Sequence, residues 1–406
     1  MLSEQSAATV RATLPVVGAA IGDITERFYS GLFAAHPELL RDLFNRGNQA
    51  AGTQRQALAG SIAAFARHLV ENPGDRPDAM LGRIAHKHAS LGVAPDQYPV
   101  VHEHLFAAIV DVLGEAVTPE VAAAWDEVYW LMANALIAVE RRLREERDGG
   151  PRARQWREWQ VVERFEETAD VVTFRLRPRD GAPAREFRAG QYVSVRTTLA
   201  DGARQIRQYS LSGAPGAELR QISVKRVAGG ETSAAGTLTP EGEVSQHLHA
   251  RVREGDVLEL SEPYGDLVLD DAGGAPLLLA SAGIGVTPIV AMLAHLAAVG
   301  HDTPVTVVHA DRSPAHHALR RDHEAHAAKL PDASLHLWYE REAPAGARTG
   351  LTDLTDVPVA PGTRAYLCGP LPFMRAVRAQ LIAKGVAPAD VHYEVFGPDL
   401  WLATAG

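Results

Sequence analysis

Apolar positions recur three and four residues apart from the start of the chain to about residue 147, then switch to every second residue. The first spacing keeps one face of a helix apolar, and the second keeps one face of a strand apolar. Segments 7–20, 21–34, 54–69, 78–91, 97–113 and 119–146 are therefore predicted as helices. Asp148-Gly149-Gly150-Pro151 stops the last of them and begins a linker. In VVTFRLR, Val172, Phe174 and Leu176 face one way while Thr173, Arg175 and Arg177 face the other. QYVSVRT, RQYSLS, LRQISVKRV and DVLELSEP repeat this alternation between turn residues, which predicts a small antiparallel barrel. From Ala275 onward the candidate strands LLLASAG, TVVHA, LHLWYE, RAYLCG and VHYEVF alternate with helices such as MRAVRAQLIAKG, the pattern of a parallel α/β sheet. The expected fold is multidomain: an all-α domain over 1–147, an antiparallel β-barrel over 153–267 and an α/β nucleotide-binding domain over 272–406.

Composition narrows the function classes. A chain of 406 residues, 46% apolar and 22% charged, builds globular cores rather than a disordered chain. Its net charge of -10 argues against a nucleic-acid partner. The basic run Arg141-Arg142-Leu143-Arg144 is flanked by Glu140, Glu145 and Glu146 and reads as a solvated helix end. One cysteine, Cys368, excludes a disulfide or an all-cysteine metal site within one subunit. Glu4 interrupts the N-terminal segment MLSEQSAATVRATL, so no signal peptide is read there. No uninterrupted, strongly apolar run reaches the roughly 18 residues of a membrane span. A cytoplasmic monomer without integral membrane association is expected.

The segment from Pro276 to Val299 carries the most specific local pattern. An apolar run breaks into Ser281-Ala282-Gly283-Ile284-Gly285, and Val286-Thr287-Pro288 leads into an amphipathic helix that ends before Gly300. A strand, a glycine turn and a helix N-terminus form the usual receptacle for a diphosphate. Thr287 suits the N-cap and Pro288 the first helical position. Pro288 stands where a third glycine would complete G-x-G-x-x-G, and such turns also precede helices that bind nothing.

Further motifs occur in a fixed order around this turn. Arg207-Gln208-Tyr209-Ser210 lies on a predicted strand, with Arg207 and Tyr209 on one face and Ser210 on the other. An arginine fork suits a phosphate and a tyrosine can lie against a planar heterocycle, although an exposed strand with cross-strand partners has the same residues. Ala189-Gly190-Gln191-Tyr192, this RQYS segment, Gly242-Glu243-Val244-Ser245, the glycine turn and Cys368-Gly369-Pro370 together resemble the ferredoxin–NADP reductase-like flavin reductases over about 155–406. By that resemblance Tyr192, Arg207, Gln208, Tyr209 and Ser210 hold FAD, with Tyr209 beside its ring. Gly242, Val244 and Ser245 approach the FAD diphosphate. Gly283, Gly285, Thr287, Pro288, Cys368, Gly369 and Pro370 form the nicotinamide nucleotide side. Phe396, in Glu394-Val395-Phe396-Gly397-Pro398, is expected to cover the flavin; a C-terminal core aromatic would look the same. Cys368 reads as a small group near the transfer site or as a buried strand end.

The helical domain should then supply an electron acceptor. In DAMLGRIAHKHASL, Leu81, Ile84, His88 and Leu91 share one helical face, while His86 lies about 200° away and is expected to face water. A histidine on an apolar face is either a hydrogen-bonded core residue or the single proximal ligand of a haem. The order Phe28-Tyr29, His36-Pro37-Glu38, Phe44-Asn45, Asn48-Gln49, Gln54, Leu58, His88, Tyr98 and Glu140 resembles the globin domain of the bacterial flavohaemoglobins, so the likeness spans nearly the whole chain. It implies a globin fold holding haem b, with His88 as iron ligand and Phe44 wedged against the porphyrin. Tyr29, Gln54 and Leu58 would stand on the distal side, and Tyr98 and Glu140 behind His88. Taken on spacing alone, Glu140 could instead be exposed at the end of its helix.

The activity this resemblance implies is nitric oxide dioxygenation. NADH or NADPH gives hydride to FAD, FAD reduces the haem iron one electron at a time, and oxygenated ferrous haem converts nitric oxide to nitrate. Its small-molecule partners would be O2, nitric oxide and NAD(P)H. The alternatives are an oxygen or nitric oxide sensor and a diaphorase-like reductase. Three departures stand out. Val286 replaces a polar glutamine expected to bond the nucleotide, Val395 replaces a cysteine, and 231–240 reads as an inserted surface loop. Asp311 at the end of TVVHA is followed by Arg312, which leaves the coenzyme open between NADH and NADPH.

Overall fold

The computed structural model describes residues 1–75, 77–148, 155–230, 238, 240–270 and 274–398. Most of the expected linker (149–151) and most of the 231–240 insertion lie outside the described residues. The first domain is helical. α1 (Glu4–Ala35) is one helix where two were expected, over 7–20 and 21–34. Val10, Val17, Ile24, Phe28 and Leu32 make one continuous buried stripe along it, and that burial overrides Pro15, Gly18 and Gly22. Ser3 caps α1 by accepting from the Ser6 amide, and its own amide and hydroxyl donate to Glu127 at 2.7 and 2.8 Å.

Two short helices that periodicity did not predict follow, α2 (Pro37–Asp42) and α3 (Arg46–Ala50). α4 (Thr53–Glu71), α5 (Asp78–Leu91), α6 (Gln97–Leu113) and α7 (Pro119–Asp148) lie where the 3.6 spacing placed them. α1 packs on α4, α6 and α7, and α5 packs on α7, whereas α4 and α5 scarcely touch although they are neighbours in sequence. Among the described residues α1 alone is long and apolar enough to cross a bilayer, but its buried stripe belongs to this core.

The second domain is a six-stranded antiparallel sheet in the order β4-β3-β6-β1-β2-β5. Its strands are β1 (Arg157–Thr168), β2 (Val171–Pro178), β3 (Tyr192–Thr198), β4 (Arg204–Ser210), β5 (Arg220–Lys225) and β6 (Val257–Leu260). A bridge between Leu211 and Ile222 brings the two edges together and closes the barrel. Thr173, expected on the polar face of β2, is buried and bonds Ser223 across the sheet at 2.7 Å. α8 (Glu243–Arg251), with Gly242 as its N-cap, was not foreseen as a helix.

The third domain is a parallel sheet in the order β10-β9-β8-β7-β11-β12. β7 (Leu277–Ala282) leads through a 3-10 turn at Gly283–Gly285 into α9 (Val286–Val299), and β8 (Val305–Asp311) into α10 (Arg320–Ala327). β9 (Ala333–Tyr339), β10 (Arg348–Thr349), β11 (Arg364–Cys368), α11 (Leu371–Ala383) and β12 (Val391–Glu394) complete it. β7 is buried along its whole length, as a strand covered on both faces must be.

All three domains touch. Tyr192 and Tyr264 of the barrel join the apolar core of the helical domain. The Arg46 guanidinium bridges Asp201 at 2.6 Å and Glu243 at 2.8 Å. Between barrel and α/β sheet, Val286 and Val290 pack on Val171, Ala318 and Leu319. Val286 is fully buried there, so its apolar side chain braces two domains. A glutamine at that place would carry an amide into a dry contact. Gly190 sits at the same junction with φ +104, and a Cβ added to it would lie 2.0 Å from the Leu267 carbonyl oxygen and 2.8 Å from Met292. Replacing Gly190 by Ala should therefore destabilise the protein by about 1–3 kcal/mol or more, the usual range for overpacking. Denaturant unfolding of the full chain measures this, and an unchanged midpoint would show that the junction can open to admit a methyl group.

Candidate functional site

His88 stands on α5 with its ring anchored from behind. Its Nδ1 lies 2.9 Å from Glu140 Oε1 and 3.0 Å from the Tyr98 hydroxyl, and that hydroxyl donates to the same glutamate oxygen at 2.5 Å. Glu140 is fully buried on α7, not exposed at its end. An ionised carboxylate only accepts, so Nδ1 carries the hydrogen and Nε2 presents its lone pair on the other side. The Tyr98 phenol is pushed well above its ordinary value by burial first and by Glu140 next, so it stays protonated as a donor. Tyr129 braces the group by donating to the Tyr98 carbonyl at 2.6 Å. Arg144 departs from the solvated-end expectation: it reaches the Val93 carbonyl and lies 3.6 Å from Glu140 Oε2.

A second polar group lies on the helices that precede α5. Tyr29 is buried, with the side chains of Gln54 and Gln49 close to its hydroxyl. Burial holds that phenol well above its usual value, so it remains a donor. The rings of Tyr29, Phe33 and Phe44 form one cluster, with centroids 5.3–5.9 Å apart. Phe44, Leu58, Met80 and Ile84 pack against the core yet stay only half-buried. α4 and α5 scarcely meet, so these apolar side chains have little protein to cover them on that side. A flat apolar group with one coordination position for an imidazole suits this donor set and this surface; the residues fit a haem.

On the barrel, the pairing of β3 with β4 sets Tyr192 opposite Ser210, Val193 opposite Tyr209, Ser194 opposite Gln208 and Val195 opposite Arg207. Arg207 and Tyr209 thus share a face that Ser210 does not. Burial lowers the affinity of the Arg207 guanidinium for its proton, and its direct contacts are two neutral oxygens, Gln205 Oε1 at 3.2 Å and the Ile206 carbonyl at 2.7 Å. Among the described residues no carboxylate comes within ion-pair distance of it, which suits a phosphate. Gly242 starts α8, whose free amides also suit an anion. Val244 is buried, and the Ser245 hydroxyl donates to the Gly242 carbonyl and accepts from the Val227 amide. Tyr192 is buried, its hydroxyl close to Ser90 of α5.

The glycine turn is placed differently from expectation in one respect. Gly285 is the N-cap, so Thr287 and Pro288 fall at the second and third helical positions and not at the cap and first. The Thr287 hydroxyl donates back to the Ile284 carbonyl at 2.9 Å, and Pro288 still lies in the first turn, where no helical bond needs its nitrogen. Gly283 takes the left-handed conformation, with φ +53. A Cβ on Gly285 would lie 2.2 Å from the Cys368 carbonyl oxygen, so the turn lies directly against the end of β11. Cys368 is fully buried, and Gly369 and Pro370 join it to α11. Phe396 is 47% exposed, so it is not a C-terminal core aromatic. Asp311 is turned inward, its Oδ1 accepting from the Arg312 amide.

His86 departs from the expectation that it faces water. Its Nδ1 accepts from the Gly265 amide at 3.1 Å and its ring meets Tyr264. The polar side of α5 is the surface on which the barrel docks, which one helix read alone cannot show. Other residues escaped notice for the same reason. The Gln205 amide donates to the carbonyls of Leu40, Arg41 and Phe44. Glu394 is buried near Cys368 and Tyr192, whose proton affinity is raised by burial first and by this acid next, and a lone acid in the last strand was the available signal.

Comparison with known proteins covers all three domains. The family Globin matches residues 26–136, Oxidoreductase FAD-binding domain 158–268 and Oxidoreductase NAD-binding domain 279–379. The chain is 43% identical over 415 residues to the flavohemoprotein of Bordetella pertussis, covering 98% of this chain and 99% of that one. It is 35% identical to that of Bacillus subtilis over 417 residues, covering 99% of each. A crystal structure of a flavohemoglobin from Malassezia yamatoensis with bound FAD and heme superposes with a TM-score of 0.88 at 36% identity, over 98% of this chain and 100% of that one.

Replacing His88 by Ala should abolish stable haem binding and leave flavin reduction by NAD(P)H largely intact, because the two sites occupy different domains. A full Soret band in that variant would remove His88 as the ligand. Replacing Arg207 by Ala should weaken FAD binding by on the order of ten- to a hundred-fold, the loss of about 1.5–3 kcal/mol for a bond to a charged group. Flavin fluorescence titration measures it, and unchanged affinity would place the phosphates elsewhere.

Proposed function

Because the chain belongs to the flavohemoprotein family, we infer that it is a nitric oxide dioxygenase, taking electrons from NADH or NADPH through FAD to haem b. The observation that carries this reading is His88, held by Glu140 and Tyr98 in a helical domain that also buries a Tyr29 hydroxyl. When bound, FAD divides the electron pair of the coenzyme into single electrons, and the haem iron reduced by them brings dioxygen to nitric oxide to give nitrate.

The side chains have separable tasks. Glu140 accepts from Nδ1 of His88, which raises the basicity of the imidazole and fixes the direction of Nε2. Tyr98 and Tyr129 keep Glu140 and the ring in place, and the burial of Tyr98 keeps water from the carboxylate. Tyr29 offers a hydrogen-bond donor where negative charge would develop on a distal ligand, with Gln54 and Gln49 beside its hydroxyl. Leu58 and Phe44 contribute apolar wall. In the barrel, Arg207 and the amides at the start of α8 provide positive charge for a diphosphate. Gly285 lets the nucleotide turn approach the end of β11 closely, so a nicotinamide could be presented beside Cys368.

A monomer in the cytoplasm is the state this reading favours. Large exposed apolar side chains such as Phe165, Val299 and Leu351 lie on separate elements, which supports a chain without an obligate partner. Nitrate formed one for one with nitric oxide consumed, under NADH and air, tests the activity, and consumption without nitrate would favour a sensor or a reductase. Replacing Tyr29 by Phe should keep haem content and speed oxygen release by about ten- to a hundred-fold, as losing a bond to a charged partner costs roughly 1.5–3 kcal/mol. Oxygen release at the wild-type rate would take Tyr29 out of the distal site.

A further inference from the structure

Two residues after His88, the side chain of Ser90 leaves the helical domain and enters the barrel. Ser90 and Ser194 are both fully buried. The Ser90 hydroxyl donates to the Lys87 carbonyl at 2.8 Å and accepts from the Ser194 hydroxyl at 2.9 Å. The Ser194 hydroxyl in turn accepts from the Gln208 amide at 3.0 Å. A hydroxyl has one hydrogen to give, and Ser90 gives its own to Lys87, so toward Ser194 it can only accept. The bonds therefore run in one direction, from Gln208 through Ser194 and Ser90 to the carbonyl just before His88. Gln208 lies in the RQYS strand, and Gln155 adds bonds to the carbonyls of Ala89 and Ser90 on the same turn.

We propose that Ser90 is a positioning residue that registers the His88 helix on the flavin-binding strand and so sets the rate at which an electron passes from flavin to haem. The proposal rests on the functional reading above for what the two elements carry. In that passage the flavin is oxidised by one electron and the iron reduced by one, and no bond or proton changes at Ser90. A buried hydroxyl that both donates and accepts in a dry contact favours one arrangement of its partners, because a shift leaves a buried polar atom unpaired. The contact thus fixes the turn that carries His88 relative to β3 and β4.

The test uses the full chain and the variants Ser90→Ala, Ser194→Ala and the double replacement. Before cofactors are added, amide hydrogen exchange over residues 87–92 should speed by about tenfold in Ser90→Ala, since local opening becomes easier. After loading, haem content and the rate of flavin reduction by NADH should match wild type. Flavin-to-haem electron passage, followed by rapid mixing, should slow by about tenfold or more, the scale of a small misplacement. Ser194→Ala should reproduce both effects, and the double variant should be no worse than either single one. Should Ser90→Ala fail to fold, Ser194→Ala carries the same comparison. Wild-type electron passage in a folded variant overturns the proposal, as does unchanged exchange, or effects that multiply in the double replacement. Wild-type chain that takes up no haem would count against the functional reading alone, because exchange reads the contact without any cofactor.

Discussion

The buried carboxylate of Glu140 is the constraint on which the helical domain depends. A charge without solvent must be matched, and the molecule matches it with His88 and Tyr98 on one oxygen and Arg144 near the other. That requirement settles where α5 and α6 lie against α7, and it also settles which nitrogen of His88 points away. Position and chemistry thus have a single cause. A neutral residue in place of Glu140 could leave the helices packed while freeing the ring to rotate, so stability and ligand orientation need not fail together.

The interfaces between domains follow the same logic with weaker groups. Gln205 answers three carbonyls at the ends of the short helices, where helical bonds run out. Arg46 holds two acids of the barrel from α3, and His86 takes an amide from the turn after Tyr264. The C-terminal segment adds its own contacts: the Arg83 guanidinium lies 4.2 Å over the Tyr393 ring, and Lys87 reaches the Gly397 carbonyl. α5 is therefore bound on its apolar face by α7 and on its polar face by both other domains. The helix that carries the histidine is also the helix on which the reductase is seated.

Period and punctuation made the architecture readable, because the switch from 3.6 to 2 reflects burial, which the sequence records directly. The barrel, the parallel sheet and the longer helices came from that signal alone. It failed where burial and local propensity disagreed, as in α1, whose glycines and proline suggested a break that the core does not allow. Candidate site residues could be named where a motif states its own chemistry, as with RQYS and the glycine turn. His86, Ser90, Gln205 and Val286 were misread or passed over because their partners lie in another domain, and one element read by itself carries no trace of them. The two-residue shift at Thr287 and Pro288 has a similar origin: Gly285 must sit against Cys368, and that contact decides where the helix begins.

Division into domains also explains why so few groups need unusual acid–base properties. Hydride and electron passage require proximity and orientation above all, so the protein supplies rigid surfaces. The phenols of Tyr29, Tyr98 and Tyr209 and the thiol of Cys368 are all driven by burial toward their protonated forms, which makes each a neutral donor or a plain wall. Arg207 keeps its charge with neutral oxygens around it, a poor arrangement for stability and a good one for receiving an anion. The cost of that unpaired charge falls in the barrel, where closure by the Leu211–Ile222 bridge and the core around Trp159 and Phe174 can offset it. The helical domain meets its own buried charge internally. Each domain can then be rigid for its own reason, and only the seating of α5 has to be right for both.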